Sequence, residues 1–107
     1  MNYVSIPGLE SKSFTIEQME DWVCEDYDTN LKDLKSKKRH GNIKEARQIL
    51  MYLTKRFKGL THEKVSARYN RDHSTCVYSS RLLENYMETN KSFNKYMTGL
   101  ITNFNLR

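Results

Sequence analysis

The fold is decided by residues 61 to 87, which read THEKVSARYNRDHSTCVYSSRLLENYM. Thr61 occupies a capping position before a short helix predicted over 62–69, and a tight turn follows at 70–72. A long helix is then predicted from 73 to about 87, because apolar residues recur at helical spacing. The predicted inward positions are Val65, Ala67 and Tyr69 in the short helix and Cys76, Val77, Ser80, Leu83 and Met87 in the long one. A short helix, a tight turn and a longer helix form the organisation of a helix-turn-helix motif.

Residues upstream of this motif predict a helix, a helical turn and a basic loop. The helix begins at Thr15, which has capping-box spacing to Gln18, and continues to about Tyr27. Leucines at both ends of residues 31–34 indicate a short helical turn. Residues 35–41, KSKKRHG, follow it as a basic loop.

The strongest periodic pattern spans residues 43 to about 57, with Asn42 as its predicted N-cap and Gly59 as a left-handed C-cap. A final helix is predicted over about 92–104. The solvent-facing side of the 43–57 helix is predicted to hold Lys44, Arg47, Gln48, Lys55 and Arg56. The predicted fold class is therefore all-α, a small helical bundle of the Trp-repressor-like type.

The length of the chain predicts one small domain, and its net charge favours an anionic partner. The chain has 107 residues, of which 37% are hydrophobic, and a net charge of +5. An excess of this kind favours a polyanion partner, although its placement matters more than its sum. We expect a poorly ordered leader at residues 1–12 and one domain at residues 13–107.

Cysteine usage and hydropathy predict the compartment. Cys24 and Cys76 lie far apart with no paired spacing, which is typical of reduced thiols in a cytosolic protein. The N-terminus has no basic-then-apolar signal pattern, and no apolar run approaches the length of a membrane span. We expect a soluble, cytoplasmic protein, associated with the nucleoid and without a membrane partner.

Two segments carry a resemblance to a known family. Residues 46–53 read ARQILMYL, and residues 71–75, about twenty positions later, read RDHST. The pair resembles the C-terminal DNA-binding domain of the bacterial replication initiator DnaA, whose signature is A-R-Q-x-x-M-Y-L followed by G-R-D-H-[ST]-T-V. The resemblance covers roughly residues 15–104.

The resemblance implies a role for each matching residue. The start of the long helix would contact bases in the major groove through Arg71, Asp72, His73, Ser74 and Thr75. Arg39 would enter the minor groove, and Arg47, Gln48 and Lys55 would contact the DNA backbone. Residue chemistry adds Lys37, Lys38, Arg56 and Tyr78 to the predicted backbone contacts. A carboxylate accepts a hydrogen bond from cytosine N4 and a threonine methyl packs on thymine, whereas phosphate contacts carry no sequence information.

The sequence departs from the family pattern near the turn. Asn70 stands alone where the family has two glycines, so the turn is one residue shorter; asparagine tolerates the left-handed conformation that such a turn needs. His62 and Glu63 replace an apolar-proline pair, and Glu63 would repel phosphate. Tyr78 replaces a common histidine, and Cys76 replaces a valine.

Simpler roles compete with several of these functional ones. Asp72 can cap the long helix instead of reading a base, or do both. His73 and Cys76 have three-residue spacing, but without a second pair they make a poor zinc site, and Ser66 stands where an H-E-x-x-H motif needs its second histidine. The basic loop can be simply solvated, and Tyr78 can be an ordinary exposed tyrosine.

The resulting prediction is sequence-specific binding of double-stranded DNA at a DnaA-box-like site, in replication initiation or its regulation. The chain has no G-x-x-x-x-G-K-[ST] phosphate loop and no catalytic constellation, so we expect no ATP, no metal or other cofactor and no enzymatic activity. Replication proteins are further expected partners, and Met1 with the leader favours a stand-alone protein over an excised domain. The alternative is a protein-interaction module that lost DNA affinity, favoured by Glu63 and the acidic stretch 20–28.

Overall fold

The computed structural model describes residues 15–104, which fold into six α-helices with no β-strand in that range. They are α1 (Ile16–Asp26), α2 (Leu31–Leu34), α3 (Gly41–Lys58), α4 (His62–Arg68), α5 (His73–Thr89) and α6 (Lys91–Asn103). The predicted all-α class and helix order are confirmed. The predicted leader, residues 1–12, lies outside the described residues.

Local hydrogen bonds at the helix ends explain these boundaries. At α1 the Thr15 hydroxyl accepts from the Gln18 N–H at 3.1 Å, and Gln18 Oε1 accepts from the Thr15 N–H at 2.8 Å. The Thr61 hydroxyl accepts from the Lys64 N–H at 3.2 Å and so caps α4. The two threonine caps each satisfy a backbone donor that the first helical turn leaves unpaired.

The predicted N-cap at Asn42 is wrong. Helix α3 begins two residues earlier than predicted, at Gly41, and its N-cap position is His40, which makes no side-chain capping bond. The Asn42 amide instead donates to the Tyr27 carbonyl at 2.9 Å. Asn42 therefore satisfies a carbonyl at the end of α1 and joins α3 to that helix.

Helix α3 is the centre of the bundle. It packs against α1, α2, α4 and α5, while α6 packs on α5. Its buried stripe includes Ile49, Leu50 and Leu53, all without solvent exposure. One predicted inward position is corrected: Ala67 is exposed. Ser80 is half-buried with its hydroxyl oxygen inward, and Ser79, which was not predicted, is 4% exposed. Helical spacing alone does not fix the rotation of α4 and α5 to within one residue.

A buried carboxylate joins α1 to α4. Glu20 is 2% exposed and accepts from Arg68 Nε and Nη2, each at 2.7 Å. The Tyr69 hydroxyl donates to the same carboxylate at 2.6 Å. Burial, reinforced by Glu20, raises the pKa of Tyr69 and keeps its hydroxyl protonated as a donor. This cluster fixes the first helix of the helix-turn-helix against the rest of the domain.

Two glycines give opposite predictions for stability. Gly59 ends α3 with φ of 70°, and a Cβ there would meet nothing within 4 Å, so the cost of Gly59→Ala is conformational: about 1 kcal/mol of destabilisation. Gly99 lies inside α6, also with nothing within 4 Å of an added Cβ, so Gly99→Ala should stabilise by about 0.5–1 kcal/mol. Denaturant unfolding of both variants measures the change in the free energy of unfolding, which should be negative for Gly59→Ala and positive for Gly99→Ala. Equal changes in the two variants would contradict the left-handed cap at Gly59.

No helix within residues 15–104 combines the length and the apolar character that crossing a lipid bilayer requires.

Candidate nucleic-acid interface

The basic loop, residues 35–40, is anchored by an arginine from α3. Arg47 Nε donates to the Leu34 carbonyl at 2.7 Å, and its Nη2 donates to the Lys38 carbonyl at 3.0 Å. The side chain reaches these oxygens because α2 and the loop cross the front of α3. The loop therefore has a defined path although it belongs to no helix.

A second arginine ties the same loop to the turn between α4 and α5. Arg71 Nη2 donates to the Ser36 carbonyl at 2.6 Å, while its Nη1 donates to the Asn70 carbonyl at 2.9 Å. The Asn70 amide adds a bond to the Lys35 carbonyl at 3.3 Å. Asn70 has φ of 58°, so the shortened turn adopts the left-handed conformation expected of it. The loop and the start of α5 are consequently neighbours in space.

These elements border an open groove of about 670 Å³. One wall is the basic loop with the turn, the floor is the front of α3, and the other wall is the outer face of α5. The predicted site residues that line the groove are Lys37, Arg39, Arg47, Gln48, Arg71, Asp72, Thr75 and Tyr78. Residues from three separate segments of the sequence thus share one surface.

The groove carries an excess of positive charge. Lys37, Arg39, Lys44, Arg47 and Arg71 line it, and Asp72 is the one carboxylate among its described lining residues. Burial, together with the charges of Arg71 and Arg39, lowers the pKa of Arg47 to about 10. Burial and Arg39 also lower the pKa of Arg71. Both guanidiniums remain charged at neutral pH, so the groove attracts a polyanion.

The first turn of α5 presents polar side chains to solvent. Asp72, His73 and Ser74 are exposed, and Thr75 is half-buried at the groove. Asp72 occupies the N-cap position of α5, but its side chain makes no capping hydrogen bond. Asp72 therefore has the position of a helix cap but not its hydrogen bond, and its carboxylate is available to a donor outside the protein.

A histidine pair flanks this turn on the other side. The rings of His62 and His73 meet edge to face with 5.4 Å between their centroids. Burial, then the charges of Lys55 and His73, lowers the pKa of His62. Neither Lys55 nor Arg56 is among the residues that line the groove. Their predicted backbone contacts stay predictions.

The structure corrects the placement of Arg47. It was expected on the solvent-facing side of α3, yet it is only 5% exposed, because its guanidinium turns inward to the carbonyls of the loop. Arg71 is half-buried for the same reason. Lys38 forms an exposed ion pair with Asp33 at 3.1 Å. By contrast Tyr78 is 65% exposed on α5, as predicted.

Five groove residues were absent from the predicted site: Lys44, Met51, Asn70, Ser79 and Leu82. Lys44 precedes Gln48 by four positions, so helical spacing places both on one face, and this signal could have identified it. Asn70 was considered only as a turn residue. Leu82, 39% exposed, follows Tyr78 by one helical turn and extends the groove wall.

The two cysteines are both buried free thiols. Burial raises the pKa of Cys76, and Cys76 lies on the inward side of α5. Within residues 15–104, His, Cys, Asp and Glu side chains form no group of three or more that could hold a metal ion.

Comparison with known proteins identifies the family. The family described as bacterial DnaA protein helix-turn-helix matches residues 16–82. Chromosomal replication initiator protein DnaA of Thermodesulfovibrio yellowstonii is 32% identical over 93 residues, which cover 86% of this chain and 21% of that protein. DnaA of Methylacidiphilum infernorum is 35% identical over 78 residues, covering 72% of this chain and 17% of that protein. This chain spans about a fifth of the length of such curated relatives. It belongs to the bacterial DnaA helix-turn-helix family of DNA-binding domains.

Proposed function

We propose that this domain binds double-stranded DNA sequence-specifically, at a site akin to the DnaA box, in replication initiation or its regulation. Helix α5 lies in the major groove with Asp72 and Thr75 at base edges, and Arg39 reaches the neighbouring minor groove. The observation that carries the proposal is the single groove in which these residues meet, with its excess of positive charge.

The proposed backbone contacts come from the floor and both walls of the groove. Lys37 borders it on the loop wall, Lys44 and Gln48 on the floor and Tyr78 on the α5 wall, so phosphates of the DNA backbone face polar or basic groups throughout. These contacts increase the affinity for any duplex, while the first turn of α5 distinguishes one base sequence from another. The domain acts by binding alone, without hydrolysing ATP, and replication proteins on the nucleoid are its proposed partners.

The interaction-module alternative has lost part of its support. It rested on an acidic stretch at residues 20–28, yet Glu20 is buried against Arg68 and Asp26 accepts a hydrogen bond from the Tyr96 hydroxyl at 2.7 Å. These carboxylates hold the fold together. Glu20 is therefore lost from the acidic surface, whereas the other acidic residues of the stretch remain exposed: Asp21, Glu25, Asp26 and Asp28.

Selection of duplexes from a random pool tests the proposed function. We expect enrichment of one short motif, bound by wild-type protein more tightly than a scrambled duplex. Neutralising about five phosphates predicts a roughly 500-fold loss of affinity between about 50 and 200 mM salt. Failure of both selected and scrambled duplexes to bind at low salt would rule the function out.

Tyr78 gives a more local prediction. Tyr78→Phe removes a hydroxyl from a ring that is 65% exposed, so binding to selected and scrambled duplexes should weaken alike, by roughly fivefold. Tyr86→Phe is the matched control, since Tyr86 is 42% exposed two turns further along α5 and outside the groove. A loss confined to the selected duplex would assign Tyr78 to base recognition instead.

A further inference from the structure

We propose that Arg47 and Arg71 are positioning residues that fix the basic loop against the start of α5. The position of Arg39 relative to α5 is then fixed, so that the two contact neighbouring grooves of the DNA. This inference rests on the proposed function and deepens it. It differs from the sequence-based expectation, which assigned Arg47 to the DNA backbone and Arg71 to a base.

The hydrogen bonds of Arg71 leave its guanidinium occupied. Its Nη2 donates to the Ser36 carbonyl at 2.6 Å, and its Nη1 donates to the Asn70 and Tyr69 carbonyls at 2.9 and 3.4 Å. Bidentate reading of guanine needs two parallel donors directed at one base edge. Both terminal nitrogens of Arg71 already donate to the protein backbone, so reading a base with that pair of nitrogens would require release of the loop.

Arg47 is occupied in the same way from the opposite side. Its shortest bonds reach the Leu34 carbonyl, just before the loop, at 2.7 Å and the Lys38 carbonyl, within the loop, at 3.0 Å. Its Nη2 also lies 3.4 Å from the Ser36 carbonyl, the oxygen that Arg71 binds. Ser36 is thus the point where α3, the loop and the turn before α5 are joined.

The charges give an independent reason to regard this arrangement as functional. Burial, followed by the charges of Arg71 and Arg39, lowers the pKa of Arg47, and burial with the charge of Arg39 lowers the pKa of Arg71. The hydrogen-bond partners of Arg47 and Arg71 are carbonyl oxygens rather than carboxylates. Three cations held together without an acidic partner repel one another. The carbonyl bonds offset that repulsion and leave the exposed Arg39 beside the groove.

A pre-formed loop has a clear benefit for reading two grooves at once. Ordering a flexible loop on binding costs conformational entropy, which a fixed loop has already lost on folding. The two arginines link the loop to the turn that begins α5, so displacement of the loop would move Arg39 relative to the reading helix. The spacing between the minor-groove contact of Arg39 and the major-groove contacts of α5 is then set when the domain folds, before DNA binds.

Base analogues separate the two grooves experimentally. In the duplex selected from the random pool, replacing adenine by 2,6-diaminopurine adds an amino group in the minor groove and leaves the major-groove edge unchanged. Wild-type protein should bind the substituted duplex about tenfold more weakly than the unsubstituted one. Arg39→Ala should bind both alike, and so should Arg71→Ala, because its loop no longer presents Arg39.

Controls distinguish positioning from charge and from folding. Arg81→Ala removes one exposed cation from α5 outside the groove and should keep the tenfold ratio. Arg71→Lys keeps the charge and can still donate to one loop carbonyl, so it should fold and recover part of the ratio. In the DNA-free protein, hydrogen exchange of the loop amides should be faster in Arg71→Ala than in Arg81→Ala.

An unchanged ratio in Arg71→Ala would overturn the inference. So would loss of base preference at the positions read by α5, which would make Arg71 a base reader. If wild-type protein shows no preference for any duplex, the proposed function is wrong, and this inference, which depends on it, is wrong as well. That outcome appears in the wild-type measurement alone, so the two failures are distinguishable.

Discussion

Asp72→Ala is expected to remove most of the discrimination at one base pair of the selected site while leaving non-specific binding intact. The carboxylate is exposed at the start of α5 and makes no capping hydrogen bond, so its loss costs the helix little. A good base contact discriminates by about 1–3 kcal/mol, so the preference should fall roughly 10- to 100-fold. Competition between the selected duplex and its single-base variants measures this.

Asp72→Asn is the matched variant, because it keeps the shape and replaces an acceptor-only group by an amide. An amide pairs well with adenine, so the preference at that position should shift from cytosine towards adenine. The melting temperature should change little for either variant. Uniform weakening for all sequences, accompanied by lower stability, would instead assign Asp72 to helix capping.

Glu20→Gln is expected to have the largest effect on stability. The carboxylate is 2% exposed and accepts from Arg68 and from the buried Tyr69 hydroxyl. Neutralising it leaves the Arg68 charge, whose side chain is 25% exposed, without its main partner. We expect a destabilisation of about 2–3 kcal/mol, at the lower end for a broken buried ion pair because Arg68 is partly solvated. Thermal unfolding should show a fall in Tm of roughly 10–20 °C.

Glu17→Gln is the control for that prediction. Glu17 pairs with the same arginine at 3.4 Å, but its side chain is 73% exposed. Exposed pairs contribute little, so this variant should lose at most about 0.5 kcal/mol. Equal losses in the two variants would contradict the importance of burial, and loss of DNA binding by folded Glu20→Gln would place the cluster in the interface.

The helices could be predicted from sequence because their signals are local. The Thr15 capping box, the Thr61 cap and Gly59 each act within a few residues of the boundary they set. The first turn of α5 was predicted as the reading surface from the family resemblance, and its residues 72–74 are exposed. Such features depend on spacing along one segment, which the sequence displays directly.

The arginine contacts could not be predicted because their partners are backbone oxygens. Arg47 has the spacing of a solvent-facing position, and nothing in the sequence marks the Leu34 or Lys38 carbonyls as acceptors. These oxygens become available only when α2 and the basic loop cross α3. Asn42 was misassigned for a similar reason, since the Tyr27 carbonyl that it binds lies 15 residues away in sequence.

The exposed face of α5 extends beyond the proposed DNA contacts. Tyr78, Leu82 and Tyr86 follow one another at four-residue spacing and are the exposed large hydrophobic residues among those described. Tyr78 and Leu82 border the groove, whereas Tyr86 packs beside Phe93 with 4.5 Å between ring centroids. Tyr78 and Leu82 therefore extend the proposed nucleic-acid interface, whereas Tyr86 packs against α6.

Amide chemical shifts during titration with the selected duplex test the central claim most directly, because they identify the bound face of the domain. We expect the largest chemical-shift changes in the basic loop, at residues 70–75 and at Tyr78, with little change in α1 and α6. Changes concentrated on α1 or α6, with the loop and the start of α5 unaffected, would contradict it.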